Sequence, residues 1–142
     1  EPATVAELDH LLRMRGNEVF KMAVRNMAQA SREAIERAGL AMSDITAVIP
    51  HQANLRILVA TQEALGLPVE KMYVNVERYG NTGAASIPIA LAEYLRNRPP
   101  RVDDNFLFVA FGGGLTWGAS VLRWADVAAM RSERDRELTI SN

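Results

Sequence analysis

The chain has 142 residues, 49% hydrophobic and 23% charged, which is enough to bury the core of one ordinary domain. Lys and Arg total 16 against 17 Asp and Glu, so the net charge of -1 lacks the basic excess expected of a nucleic-acid binder. With no Cys there is no disulfide framework and no thiolate metal site, and no apolar run approaches the roughly 18 residues of a membrane span.

Glu1-Pro2-Ala3-Thr4 has neither the basic nor the apolar region of a secretory leader, so a cytoplasmic protein is expected. The first residue is not Met, which suggests a fragment or a processed product. Residues 1–15 read as a connecting segment ending in Arg13-Met14-Arg15; His10 lies in it and is assigned no role.

A helix is predicted over 17–38, because Val19, Phe20, Ala23, Val24, Met27, Ala30, Ala34, Ile35 and Ala38 recur at helical spacing, and Gly39 sits where a C-terminal cap belongs. Ile45 to Ile49 is a short β-branched strand. Residues 53–65 form a second helix stopped by Gly66 and Pro68. Met72 to Val76 reads as a second strand, followed by a loop over 77–82. A third helix is expected over 83–98, with Pro88 imposing a kink or a late start, and Pro99-Pro100 ends it. Residues 105–111 form an apolar strand, Gly112-Gly113-Gly114 a tight turn, and 115–124 a last strand that pairs as an antiparallel hairpin. Trp117 and Trp124 are assigned to core or interface packing. The remaining 125–142 segment is a balanced charged tail, a solvated helix or disordered. Together these elements predict an α/β fold, with helices packed on a mixed sheet buried on both faces.

In such folds functional groups gather beyond the carboxyl ends of the strands. His51, Asn81 and the Gly112-Gly113-Gly114 turn each follow a predicted strand. A neutral imidazole offers one N–H, a carboxamide two, and a glycine turn lets a ligand approach backbone amides closely. That set suits oxyanion stabilisation, which is worth a few kcal/mol per donor. There is no Cys, and no Ser in a nucleophile-elbow sequence, so a nucleophile is missing. Plainer readings stand beside this one. His51 on spacing alone is more often a surface or capping histidine, Asn81 after Tyr79-Gly80 a turn residue, and the triple glycine a hairpin turn.

Four segments, GNEVFK (16–21), VIPHQANLRIL (48–58), YGNTGAASIPIAL (79–91) and AFGGGLTWGASVLRW (110–124), together resemble the C-terminal half of β-ketoacyl-acyl-carrier-protein synthase III. The resemblance spans about 13–124 and implies a thiolase-like half over 16–124. It implies a condensing enzyme with a Cys-His-Asn triad, in which His51 and Asn81 are the second and third members. The Cys belongs to an N-terminal half. Gly113 would contribute to an oxyanion hole. Met14, Gly16, Phe20, Ala53, Asn54 and Phe111 match positions along the substrate channel, and Arg56 one linked to carrier-protein docking. The implied partners are acyl-CoA as substrate, malonyl-acyl carrier protein, the Cys-bearing half and a second copy of the complete enzyme. No metal or other cofactor, nucleic acid or membrane is implied. Gly83 stands where many relatives have Ser, and Glu63 and Ala64 where some carry lysines that face the carrier protein.

Three functions compete at this point. One is half of a decarboxylative condensing synthase, or of a relative that transfers acyl groups to oxygen or nitrogen. A second is a non-catalytic half that binds a partner or the carrier protein. The third, a nucleotide-binding domain, is disfavoured because the glycine turn precedes a strand rather than a helix.

Overall fold

The computed structural model describes residues 16–126; the connecting segment with His10 and Met14, and the tail from 127 onward, lie outside the described residues. Helix α1, Gly16–Arg37, buries Ala23, Met27, Ala28, Ser31 and Ile35 along one stripe. It ends as its sequence predicts. Gly39 takes φ 69°, while Gly39 N–H donates to Glu36 O at 2.9 Å and Leu40 N–H to Ile35 O at 3.1 Å. These two bonds satisfy carbonyls that the helix end would otherwise leave open.

Strand β1, Ile45–Pro50, pairs in parallel with β2, Asn105–Gly112. Strand β2 pairs antiparallel with β3, Thr116–Arg123, giving the order β1-β2-β3. Helix α2 is Leu55–Leu65, and the short α3 is Val76–Tyr79. Helix α4, Ser86–Asn97, follows a 3-10 turn over Gly83–Ala85.

The core lies in two layers. On one face Val48, Leu107, Val109 and Phe111 pack with Ala23, Met27 and Ile35 of α1 and Leu65 of α2. On the other, Ala47, Ile49 and Phe106 pack with Ala90 and Tyr94 of α4. The alternation along β2 assigns successive side chains to opposite faces. In β1 the register shifts between Ile45 and Ala47, which puts Ile45 on the same side as Val48. Edge-to-face contacts run through Tyr73, Tyr94, Phe106 and Trp124, with centroids 5.5 to 6.3 Å apart.

Two expectations are corrected. Met72 to Val76 is not a strand: only Met72 bridges Val48 in parallel. The backbone N–H groups of Asn75 and Val76 donate instead to the Gln52 side chain. A side-chain acceptor thus takes bonds a ladder would need, and the chain turns into α3. The sheet is also not covered on both faces throughout, because β3 is an edge strand and largely exposed. Trp117, half exposed at 50%, is not core, whereas Trp124 packs on Phe106. The helix at Pro88 follows one of its two expected forms: α4 starts late, without a kink. Pro88 falls in its first turn, where a missing N–H costs no intrahelical bond. Among the described residues no helix is long and apolar enough to cross a membrane.

Candidate active site

His51 stands where β1 runs out. Its backbone N–H donates to Val109 O at 2.8 Å, carrying the β1–β2 pairing one step past the strand. The imidazole is half-buried, and burial lowers its pKa below the ordinary 6.5, which favours the neutral ring. Its Nδ1 lies 2.6 Å from Ser86 Oγ, at the first residue of α4. His51 is not a helix cap: that place belongs to Asn54, whose Oδ1 accepts from Arg56 N–H at 2.9 Å.

Gln52 beside it is fully buried, and all its polar valences are used. Nε2 donates to Pro50 O at 3.0 Å and Tyr73 O at 3.1 Å. Oε1 accepts from Asn75 N–H at 2.9 Å and Val76 N–H at 3.1 Å. One side chain therefore ties the His51 loop to the segment leading to Asn81.

A second buried polar group anchors that segment to α4. Glu93, 8% exposed, accepts from Asn75 Nδ2 at 2.9 Å and pairs with Arg78 at 2.6 Å. Tyr79 donates its O–H to the same carboxylate at 3.4 Å. The Asn75 hydrogen bond is the main reason the Glu93 carboxyl is held below its ordinary 4.5, and Arg78 adds to it.

Asn81 is exposed. Its Oδ1 accepts from Gly83 N–H at 3.0 Å, a local turn that leaves Nδ2 as its outward donor. The turn-residue reading of Asn81 is therefore correct, and it leaves the donor reading intact. His51 touches the first residue of α4, and Asn81 sits in the turn just before that helix. Both thus flank one helix end, with no direct hydrogen bond between them.

Gly113 lies in the β2–β3 turn, its carbonyl accepting from Thr116 Oγ1 at 3.1 Å. It lies four residues beyond Val109, the residue whose carbonyl takes the His51 N–H. A Cβ at Gly113 would touch nothing within 4 Å, and φ there is not positive. Neither packing nor backbone geometry requires glycine at 113. At Gly114 the backbone favours glycine, with φ 137°, and a Cβ would also crowd Thr116 Cγ2 at 3.0 Å.

Of the channel positions, Phe20 on α1 lies under the Arg56 guanidinium, 5.6 Å from ring centroid to Cζ. Gly16 opens α1, Ala53 and Asn54 lead into α2, and Phe111 is buried near the end of β2. Met14 lies outside the described residues. Sequence reasoning missed Ser86, Gln52, Asn75 and Glu93. Their only sequence signal is a polar residue set inside an apolar stretch or at a helix start. Among the described residues no cluster of His, Asp or Glu is arranged to hold a metal.

Residues 35–124 match the family model described as 3-oxoacyl-[acyl-carrier-protein (ACP)] synthase III C terminal. A β-ketoacyl-[acyl-carrier-protein] synthase III of Roseiflexus sp. is 56% identical over 111 residues, 78% of this chain and 34% of the relative. A crystal structure of the synthase III of Thermus thermophilus is 57% identical, with TM-score 0.77, over 80% of this chain and 35% of that one. The Aquifex aeolicus synthase III is 52% identical, with TM-score 0.76, over 79% and 36%. The chain thus spans about a third of the length of the relatives it matches. The agreement of sequence and fold leads to one assignment: the chain belongs to the C-terminal family of 3-oxoacyl-[acyl-carrier-protein] synthase III, and its fold is one half of a thiolase-like condensing enzyme.

Proposed function

We propose that this chain is the catalytic C-terminal half of a cytoplasmic β-ketoacyl-acyl-carrier-protein synthase III, complete only with a Cys-bearing N-terminal half. The full enzyme acts as a homodimer on acyl-CoA and malonyl-acyl carrier protein, with acyl-CoA as substrate and no further cofactor. In the first half-reaction the partner half's thiolate attacks the acyl-CoA carbonyl, forming a new thioester and expelling the CoA thiolate. In the second, the malonyl carbon–carboxylate bond breaks. CO2 leaves, and the electron pair moves onto the thioester oxygen as an enolate. That enolate carbon attacks the acyl thioester, and the Cys thiolate departs.

His51 and Asn81 donate to the enolate oxygen, where charge develops. Gly113 N–H stabilises the tetrahedral oxyanion formed on the acyl thioester, and its open surroundings leave room for that approach. Gly16, Phe20, Ala53, Asn54 and Phe111 line the channel for the substrate arm, to which the resemblance alone also assigns Met14. Arg56 meets the acidic carrier protein, and its guanidinium stacks on Phe20, a residue assigned to the channel.

The observation that carries this reading is the state of the two side chains at the end of α4. Asn81 has its acceptor engaged by Gly83 N–H and its amide donor left over. His51 sits half-buried, with its ring kept toward the neutral form. Both are set up to give hydrogen bonds rather than to take protons.

The test pairs the chain with a Cys-bearing half, as one polypeptide or two. Labelled acyl-CoA should leave its acyl group on that Cys, and malonyl-thioester decarboxylation should need His51 and Asn81. Acyl transfer to an oxygen or nitrogen acceptor without decarboxylation would favour the specialised-relative reading. Carrier-protein binding with no acyl-enzyme would favour a non-catalytic half, the reading that the lack of Cys supports for this chain alone.

A further inference from the structure

The Ser86 hydroxyl has two partners among the described residues, His51 Nδ1 at 2.6 Å and the backbone N–H of Gln52 at 3.3 Å. The Gln52 N–H can only donate, so it occupies an acceptor lobe of Ser86 Oγ. Ser86 is 2% exposed, which leaves its own proton no solvent to turn to. If Nδ1 were protonated it too would donate to Oγ, and the hydroxyl proton would be buried without an acceptor, which is unfavourable. If Nδ1 is bare, the hydroxyl donates to it and every group is satisfied. The second arrangement wins.

We propose that Ser86 is a positioning residue that holds His51 as its Nε2–H tautomer, so that the nitrogen facing away from Ser86 is always a donor. This deepens the proposed function and rests on it for its purpose, since an enolate oxygen needs a donor from His51. The tautomer itself is a separate, observable fact. Ser86 touches no reacting atom. It acts through the imidazole, and Gln52 supplies the N–H that orients its hydroxyl.

The sequence contains only two histidines, which makes the measurement direct. The full chain carrying His10→Gln and 15N-labelled histidine, at a pH above the imidazole pKa, should show Nδ1 as an unprotonated, pyridine-like nitrogen and Nε2 as a protonated, pyrrole-like one. In Ser86→Ala the nitrogens should shift toward a mixture of tautomers. The assembled enzyme with Ser86→Ala should lose decarboxylation by about tenfold, the factor that one hydrogen bond's preference carries. A protonated Nδ1 in the protein with Ser86 intact overturns the proposal, whether or not the alanine variant folds. An unchanged single tautomer in Ser86→Ala also overturns it. The two readings fail separately: a bare Nδ1 with decarboxylation that survives His51→Ala would sink the proposed function and leave the tautomer assignment standing.

Discussion

The loops that carry His51 and Asn81 stand at the same end of α4 but are held by different means. The His51 loop is built from the interior. Its backbone extends the β1–β2 pairing, its ring rests on Ser86, and the adjacent Gln52 spends four hydrogen bonds inside the core. The Asn81 loop is exposed and held by a turn of its own making, Oδ1 to Gly83 N–H. The segment that leads to it is anchored where Asn75, Arg78 and Tyr79 converge on Glu93. One donor is fixed from below and the other from behind, so disturbances of the two should be separable.

The sharpest separation comes from Asn81→Asp. A carboxylate still accepts from Gly83 N–H, so the turn and the stability survive, while the amide donor is gone. Decarboxylation in the assembled enzyme should fall about 100- to 1,000-fold, with an unchanged denaturation midpoint; an enzyme as active as the parent would assign Asn81 to the turn alone. Next comes Gln52→Leu, which fits an apolar group but strands the Asn75 and Val76 N–H groups. Chemical denaturation should show a loss of about 2–4 kcal/mol, and a neutral outcome would mean the two loops are not tied together through the core.

Glu93→Gln probes the support behind Asn81. The Glu93 carboxyl is held below its ordinary 4.5, so the unfolded chain takes up the proton first. Its contribution is present at neutral pH, and it is lost as the pH falls below 4.5 and through the lower folded-state value. Denaturation midpoints followed from neutral pH into acid should therefore decline less steeply in Glu93→Gln than in the parent. Parallel acid limbs would contradict the assignment. The smallest effect is expected away from both loops, at Thr61, whose buried Oγ1 has no partner among the described residues. Thr61→Val should be neutral or stabilising by up to about 1 kcal/mol, with activity unchanged.

Much of the fold was legible because local chemistry and burial agree there. The α1 stripe, its Gly39 terminus, the parallel and antiparallel strands and the delayed start at Pro88 all follow from periodicity and backbone constraints. The segment 72–76 was misread because the N–H groups of Asn75 and Val76 go to a side chain 20-odd positions away, and periodicity carries no trace of such a partner. Of the core and interface readings of Trp117 only the first fails, because an edge strand can leave a large apolar residue uncovered. His51 just past β1 and the glycine turn after β2 were marked by their place at strand ends, whereas Asn81 was marked by a predicted strand in place of which the chain turns into α3. Their buried supports did not stand out, since Ser86 and Glu93 resemble ordinary helix residues until tertiary packing brings them to His51 and Asn75.

A double-substitution cycle on the assembled enzyme, comparing malonyl-thioester decarboxylation in the parent, His51→Ala, Asn81→Ala and the pair together, probes the shared oxygen. If both groups donate to one enolate, each single change costs about 100-fold or more, and the double costs clearly less than the product of the two. Decarboxylation that persists near the parental rate in either single variant would contradict the account.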